Sequence, residues 1–221
     1  MVAIFVILSI LLLIGIDALI LRRRDVEQAV APQPIDPHLP DGLFLHPGHS
    51  WLQIDRGGTV QVGVDNFVRG LIGTPDQIQH RPVGARVVQG QPMMAVGKDG
   101  RHVQVPAPIS GRIEAVNPEL TRHPGWWGER HQDGWAYTVR PLQLGEEIEH
   151  LRVAEAAAGW LQAQGDRLTQ WLTERAMVRG QLVPTLPDGG APIEGALDSL
   201  DGDAWRDFEK TFLPNGTDWR W

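Results

Sequence analysis

Residues 90–116 read GQPMMAVGKDGRHVQVPAPISGRIEAV, and the fold prediction for this chain of 221 residues starts from them. Apolar residues lead into Asp99-Gly100, and alternation resumes with Val103 and Val105. Asp-Gly between two such runs predicts a β-hairpin with a two-residue turn, because both central positions need a positive φ.

Lys98 stands directly before the predicted turn. It is one of only two lysines in the chain, Lys210 being the other, while the remaining basic residues are all arginine. A prosthetic group carried on a lysine amide therefore has two possible positions, and one of them lies beside a hairpin tip.

Composition excludes several classes of function. The net charge of −7 argues against nucleic acid as a partner, since a phosphate backbone requires a basic face. The absence of cysteine excludes disulfides, thiolate metal sites and cysteine nucleophiles. His46 and His49 have a spacing compatible with two metal ligands, but their Pro-Gly neighbours suit a simple loop, so no metal is expected. No catalytic motif stands out, and we predict that the chain is not an enzyme.

The N-terminus has the pattern of a membrane anchor. Residues 1–21 are apolar except for Ser9 and Asp17, and twenty helical residues rise about 30 Å, the thickness of a bilayer core. The basic run 22–24 follows, which predicts a single-pass helix in the inner membrane, in contact with lipid, with the rest of the chain in the cytoplasm. We assign residues 1–24 to the anchor and its basic stop, and residues 25–43 to a proline-rich linker.

Short strands separated by glycine turns dominate the next hundred residues. Asp65 is a candidate N-cap for a short helix that starts at Asn66. Long helical periodicity is confined to residues 148–177, where Gly159 and Gly165 are candidate breaks, and a shorter helix is predicted near residues 204–212. The pattern indicates a mainly β fold with α additions, and strands are predicted around 51–54, 60–64, 83–88, 113–116 and 135–139.

Four segments carry a family resemblance in order and spacing: His49-Ser50-Trp51, Val60 to Phe67, Ala107 to Leu120, and Gly134 to Tyr137. They resemble the His-Glu-Trp opening, the strand-to-helix step, the Ala-Pro-Val-Ser-Gly strand and the Gly-Trp-Leu strand of the glycine cleavage system H protein. The resemblance implies a barrel-sandwich hybrid of the lipoyl type over residues 44–161. Residues 162–221 are then a helical, tryptophan-rich extension.

The resemblance weakens at the position that carries the family's chemistry. The family's lipoyl-lysine motif reads Glu-Ser-Val-Lys-Ala, and counting back from Ala107 without gaps puts Gly100 in the place of the lysine. Gly97 then replaces the glutamate, and Lys98 falls where the family has serine. We predict that the hairpin is retained with Asp99 and Gly100 at its tip, that lipoylation is lost, and that no cofactor is needed. The alternative is a lipoyl carrier of the H-protein type, modified with lipoate on Lys98.

The function predicted from these features is a membrane-anchored, non-catalytic, H-protein-like scaffold or accessory subunit that binds a protein partner. Large aromatic side chains are favoured at interfaces, although they could equally cap the domain's own core. An adaptor subunit of an export system is a third possibility, disfavoured by the predicted cytoplasmic orientation and the lack of a coiled-coil hairpin. The candidates for partner binding are Trp126, Trp127, Trp171, Trp205, Phe208, Trp219 and Trp221.

Overall fold

The computed structural model describes residues 42–124, 134–179 and 194–214, which belong to one compact unit. The predicted membrane span, its basic stop and most of the linker lie outside these residues. So do four of the aromatic candidates, Trp126, Trp127, Trp219 and Trp221. Within the described ranges, no helix is long and apolar enough to cross a membrane.

Two antiparallel sheets form the framework, in agreement with the predicted mainly β fold. The larger has seven strands in the order β10-β1-β2-β3-β9-β8-β5, and the smaller has three in the order β4-β6-β7. The strands are β1 (Phe44–Leu45), β2 (Ser50–Ile54), β3 (Val60–Val64), β4 (Gln77–His80), β5 (Arg86–Val87), β6 (Pro92–Lys98), β7 (Arg101–Pro106), β8 (Gly111–Val116), β9 (Trp135–Pro141) and β10 (Arg152–Val153).

Both sheets contribute to one hydrophobic core. The inward positions of β3 and β7 are valines with almost no exposed surface, which is the period-two burial that their sequences predicted. At Gly63 the Trp51 ring takes the place of a side chain, since a Cβ there would lie 2.3 Å from that ring. The Trp51 indole also donates to the Val64 carbonyl at 3.0 Å, which ties β2 to β3.

The first helix, α1 (Asn66–Ile72), begins as predicted. The Asp65 Oδ1 atom accepts from the Val68 backbone N–H at 3.0 Å, so Asp65 is the N-cap. Two short helices follow, α2 (Pro118–Arg122) and α3 (Leu144–Ile148).

The C-terminal helices differ from expectation in their bounds. The long helix α4 (Ala154–Arg179) starts later than the periodicity suggested and runs unbroken through Gly159 and Gly165. Glycine in a helix costs about 1 kcal/mol relative to alanine, a penalty that the packing of Leu161, Leu168 and Leu172 outweighs. The predicted boundary between residues 161 and 162 therefore falls inside α4. The last helix, α5 (Gly202–Phe212), begins two residues before the predicted start and is capped by Asp201.

Candidate functional site

The β6–β7 hairpin has the predicted two-residue turn. Lys98 pairs with Arg101 across it, and the two central residues have positive φ values, 52° at Asp99 and 75° at Gly100. The Asp99 N–H donates to the Asp76 carboxylate at 2.8 Å, which fixes the turn against the preceding loop. A Cβ added at Gly100 would have no atom of the described residues within 4 Å beyond its chain neighbours, so the tip itself is open.

Lys98 points away from that open tip. Side chains alternate along β6, and Lys98 shares its face with the buried residues Met94 and Val96. On this inner face the Lys98 Nζ atom lies 2.6 Å from the Asp198 Oδ2 atom, and the Lys98 side chain is only 21% exposed. The only lysine of the hairpin is thus an ion-pair partner of the C-terminal part of the chain.

Arg101 makes the matching contacts from β7. Its Nη1 atom donates to the Asp198 carbonyl at 3.1 Å and also to the Leu200 carbonyl. Its guanidinium lies 5.2 Å from the centroid of the Trp205 ring, within cation–π range. Both cations that flank the turn are therefore held by the segment 194–214.

The outer face of the hairpin has a different character. A polar depression of about 180 Å³ lies there, and the small residues Ala95 and Gly97 are among those that line it. Amide side chains from the neighbouring strands, among them Gln77 and Gln104, border it. Gly97 occupies the place of the family's glutamate, so this depression is open where the resemblance leads one to expect a carboxylate.

Three of the aromatic candidates pack against their own domain. Trp205 and Phe208 are 1% and 0% exposed, and the Trp205 indole donates to the Leu197 carbonyl at 2.9 Å. Trp171 is half-buried, and its indole donates to the Asp207 carboxylate at 2.9 Å. Trp205 and Phe208 therefore have no exposed surface for a partner. Of the two interpretations given above, they fit the one in which aromatic residues cap the domain's own core.

The two neighbouring histidines are buried and structural in their contacts. His46 Nδ1 accepts from the Gly48 N–H at 2.9 Å, and burial, followed by the nearby His49, lowers the pKa of His46 to about 3. His49 Nδ1 donates to the Asp65 Oδ2 atom at 2.6 Å, and its ring stacks on Phe67 with centroids 4.6 Å apart. Among the described residues no group of three or more His, Asp or Glu side chains is placed to hold a metal ion.

The structure shows contacts between residues that are distant in the sequence and that no sequence pattern had paired. Asp198, the partner of Lys98, lies 100 positions away, and no local signal connects the two. His49 and Asp65 also lie 16 positions apart, and no local pattern pairs them. A lipoyl group does not fit the hairpin as it stands, because the amine of Lys98 is engaged on the inner face and the tip carries Gly100.

Comparison with known proteins places this geometry in a family. The model of the family described as glycine cleavage H-protein matches residues 44–164. The chain belongs to the glycine cleavage H-protein family. This H-protein relative is 31% identical over 121 residues to the probable glycine cleavage system H protein of Pyrococcus furiosus, a match that covers 55% of this chain and 90% of that protein.

A second sequence relative gives the same picture. The glycine cleavage system H protein of Anoxybacillus flavithermus is 30% identical over 118 residues, covering 53% of this chain and 91% of the relative. A crystal structure of an H protein from Mycobacterium marinum superimposes with a TM-score of 0.49 at 27% identity, covering 55% of this chain and 98% of that one. The family match ends at residue 164, so the segment that holds Lys98 and Arg101 lies beyond it.

Proposed function

We propose that this member of the H-protein family is a non-catalytic accessory or scaffold protein that binds a protein partner and has lost the lipoyl carrier role. The observation that carries the proposal is the state of the hairpin. Its lysine points inward onto Asp198 at 2.6 Å, and the residue at the open tip is Gly100, which has no side chain to modify.

A lipoyl carrier modified on Lys98 is the second candidate, and the family match favours it. The relatives are named glycine cleavage system H proteins, and the resemblance of the hairpin implies that such proteins carry lipoate on a lysine. Lys98 is the one lysine near the turn, and its ion pair with Asp198 is partly open to solvent, the carboxylate side chain being 40% exposed. Carrier function would require that this ion pair break, so that the amine of Lys98 becomes free for modification.

Intact-mass measurement of the chain, purified from cells with active lipoylation, separates the two candidates. We expect an unmodified mass, because the amine of Lys98 is held on the inner face. A lipoyl adduct that maps to Lys98 and disappears in Lys98→Arg would refute the accessory proposal and establish the carrier. The variant Gly100→Lys provides the positive control, since it restores a lysine at the position that the resemblance assigns to the attachment site.

The location of the protein and its partner surface are also proposals. Residues 1–21 would anchor the chain in the inner membrane with its H-protein domain in the cytoplasm, where Trp126 and Trp127 would contact the partner together with Trp219 and Trp221. Protease cleavage of the domain from the periplasmic side of closed vesicles would contradict the orientation. If replacing both members of each tryptophan pair by alanine leaves the set of co-purified membrane proteins unchanged, the proposed partner surface is wrong.

A further inference from the structure

We infer that residues 194–214, named here the C-terminal cover, form a built-in lid on the inner side of the hairpin, which must move before any partner or modifying enzyme reaches Lys98. The inference rests on the proposed function and deepens it, because it names the segment that keeps the amine of Lys98 from other proteins. Three sets of contacts carry it.

The first set fixes the start of the cover to helix α1. The Gly195 N–H donates to the Gly70 carbonyl at 2.8 Å, and the Leu197 N–H donates to the Leu71 carbonyl at 3.1 Å. Gly195 has a φ of 74° and Gly73 has a φ of 65°. A Cβ added at Gly73 would lie 3.2 Å from the Gly195 Cα atom. Both glycines thus adopt a backbone conformation that larger residues rarely take up, and Gly73 leaves room for the close approach of Gly195.

The second set anchors helix α5 in the core. Trp205, Phe208 and Phe212 are each at most 1% exposed. The Phe212 ring lies 5.1 Å from Phe208 and 6.0 Å from Phe67 of α1, centroid to centroid. The cover is therefore part of the folded domain, although it lies outside the residues matched by the family.

The third set engages the hairpin itself. Asp198 binds the Lys98 amine through its side chain and the Arg101 guanidinium through its carbonyl, and the Trp205 ring lies against that guanidinium. The ion pair itself is partly exposed, whereas the Trp205 ring that lies against Arg101 is buried. Access to the Lys98 amine therefore requires both that the ion pair break and that the cover move away from β7.

The chain contains its own reference for a test of access to Lys98. Lys98 and Lys210 are the only lysines, and Lys210 lies on the exposed side of α5. The full chain is produced in cells that lack lipoate and treated with a limiting amount of acetic anhydride. Acetylation of the two lysines is then compared by mass spectrometry. Because the protein is unmodified at the outset, the result is independent of the intact-mass test of the proposed function.

We expect Lys98 to be acetylated at least about tenfold more slowly than Lys210 in the wild-type chain, which is more than the ion pair alone would provide. Asp198→Asn should raise the Lys98 to Lys210 ratio by about two- to fivefold, the range for a partly exposed ion pair. Trp205→Ala, which loosens the whole cover, should raise it further. Asp203→Asn is the matched control, because Asp203 lies in the same segment but pairs with Arg206 at the surface.

Equal acetylation of the two lysines in the wild-type chain would overturn the inference, as would an equal effect of Asp198→Asn and Asp203→Asn. If Asp198→Asn alone brings Lys98 to the reactivity of Lys210, the ion pair accounts for the protection and the cover is refuted. Should Trp205→Ala fail to fold, which the near-ultraviolet circular dichroism spectrum would reveal, the comparison of the two Asp→Asn variants decides.

Discussion

Trp205→Ala tests whether the C-terminal aromatic residues belong to the protein's own core. Trp205 is 1% exposed, and replacing a core tryptophan by alanine costs about 3–5 kcal/mol of unfolding free energy. The lost indole donor leaves the Leu197 carbonyl without this partner, which adds about 1 kcal/mol. We therefore expect a loss of at least about 4 kcal/mol, equivalent to a fall in Tm of about 8–16 °C for a domain of this size.

Urea unfolding of the full chain in mild detergent, followed by near-ultraviolet circular dichroism, measures this loss. Arg206→Ala is the control on the same helix, because the Arg206 side chain is 72% exposed. A surface substitution of that kind should change the unfolding free energy by no more than about 0.5 kcal/mol. A loss of less than about 1 kcal/mol for Trp205→Ala would show that α5 does not pack as described and would reopen Trp205 and Phe208 as contacts for a partner.

Three further substitutions test other parts of the structure. Asp65→Ala should lower the unfolding free energy by about 2–4 kcal/mol, because it removes the N-cap acceptor of Val68 and leaves His49 Nδ1 buried without a partner. Asp65→Asn keeps the cap and should cost less in the same urea assay. Equal losses for the two variants would refute the view that Asp65 both caps α1 and binds His49. The folded-state pKa of His46 is lowered from 6.5 to about 3, so its contribution to stability is complete above pH 6.5 and declines as the pH falls toward 3, by up to about 1.4 kcal/mol per pH unit. His46→Asn should flatten the dependence of urea midpoints on pH between 6.5 and 4.5, and an unchanged slope would contradict the assignment. Gly100→Lys should gain a lipoyl adduct in cells, because the tip is open. It should also lower the unfolding free energy by about 1 kcal/mol, because residue 100 has a positive φ. The absence of an adduct at residue 100 would argue that the enzyme that attaches lipoate does not recognise this tip.

The features predicted correctly from sequence are those whose causes are local. Asp99-Gly100 specifies its turn within four residues, and Asp65 reaches its capping target three positions away. The family resemblance then supplied the arrangement of the strands, since its segments occur in the same order and spacing.

The placement of the C-terminal segment could not be predicted in the same way. The aromatic residues of α5 lie on one side of the helix in the sequence, but periodicity identifies an apolar face without identifying what it covers. Trp205 was therefore equally compatible with a partner surface and with the core. Asp198 lies 100 positions from Lys98, and only the fold shows that the two side chains meet.

The Lys98–Asp198 ion pair also sets an order of events during synthesis. One hundred positions separate the two residues, and at about 5–20 residues per second the ribosome needs about 5–20 s to add them. During that interval the β6–β7 hairpin can form from its own residues, while the segment that will engage its lysine has not yet been made. A newly made chain therefore passes through a period of seconds in which the amine of Lys98 is more accessible than it will be in the finished protein.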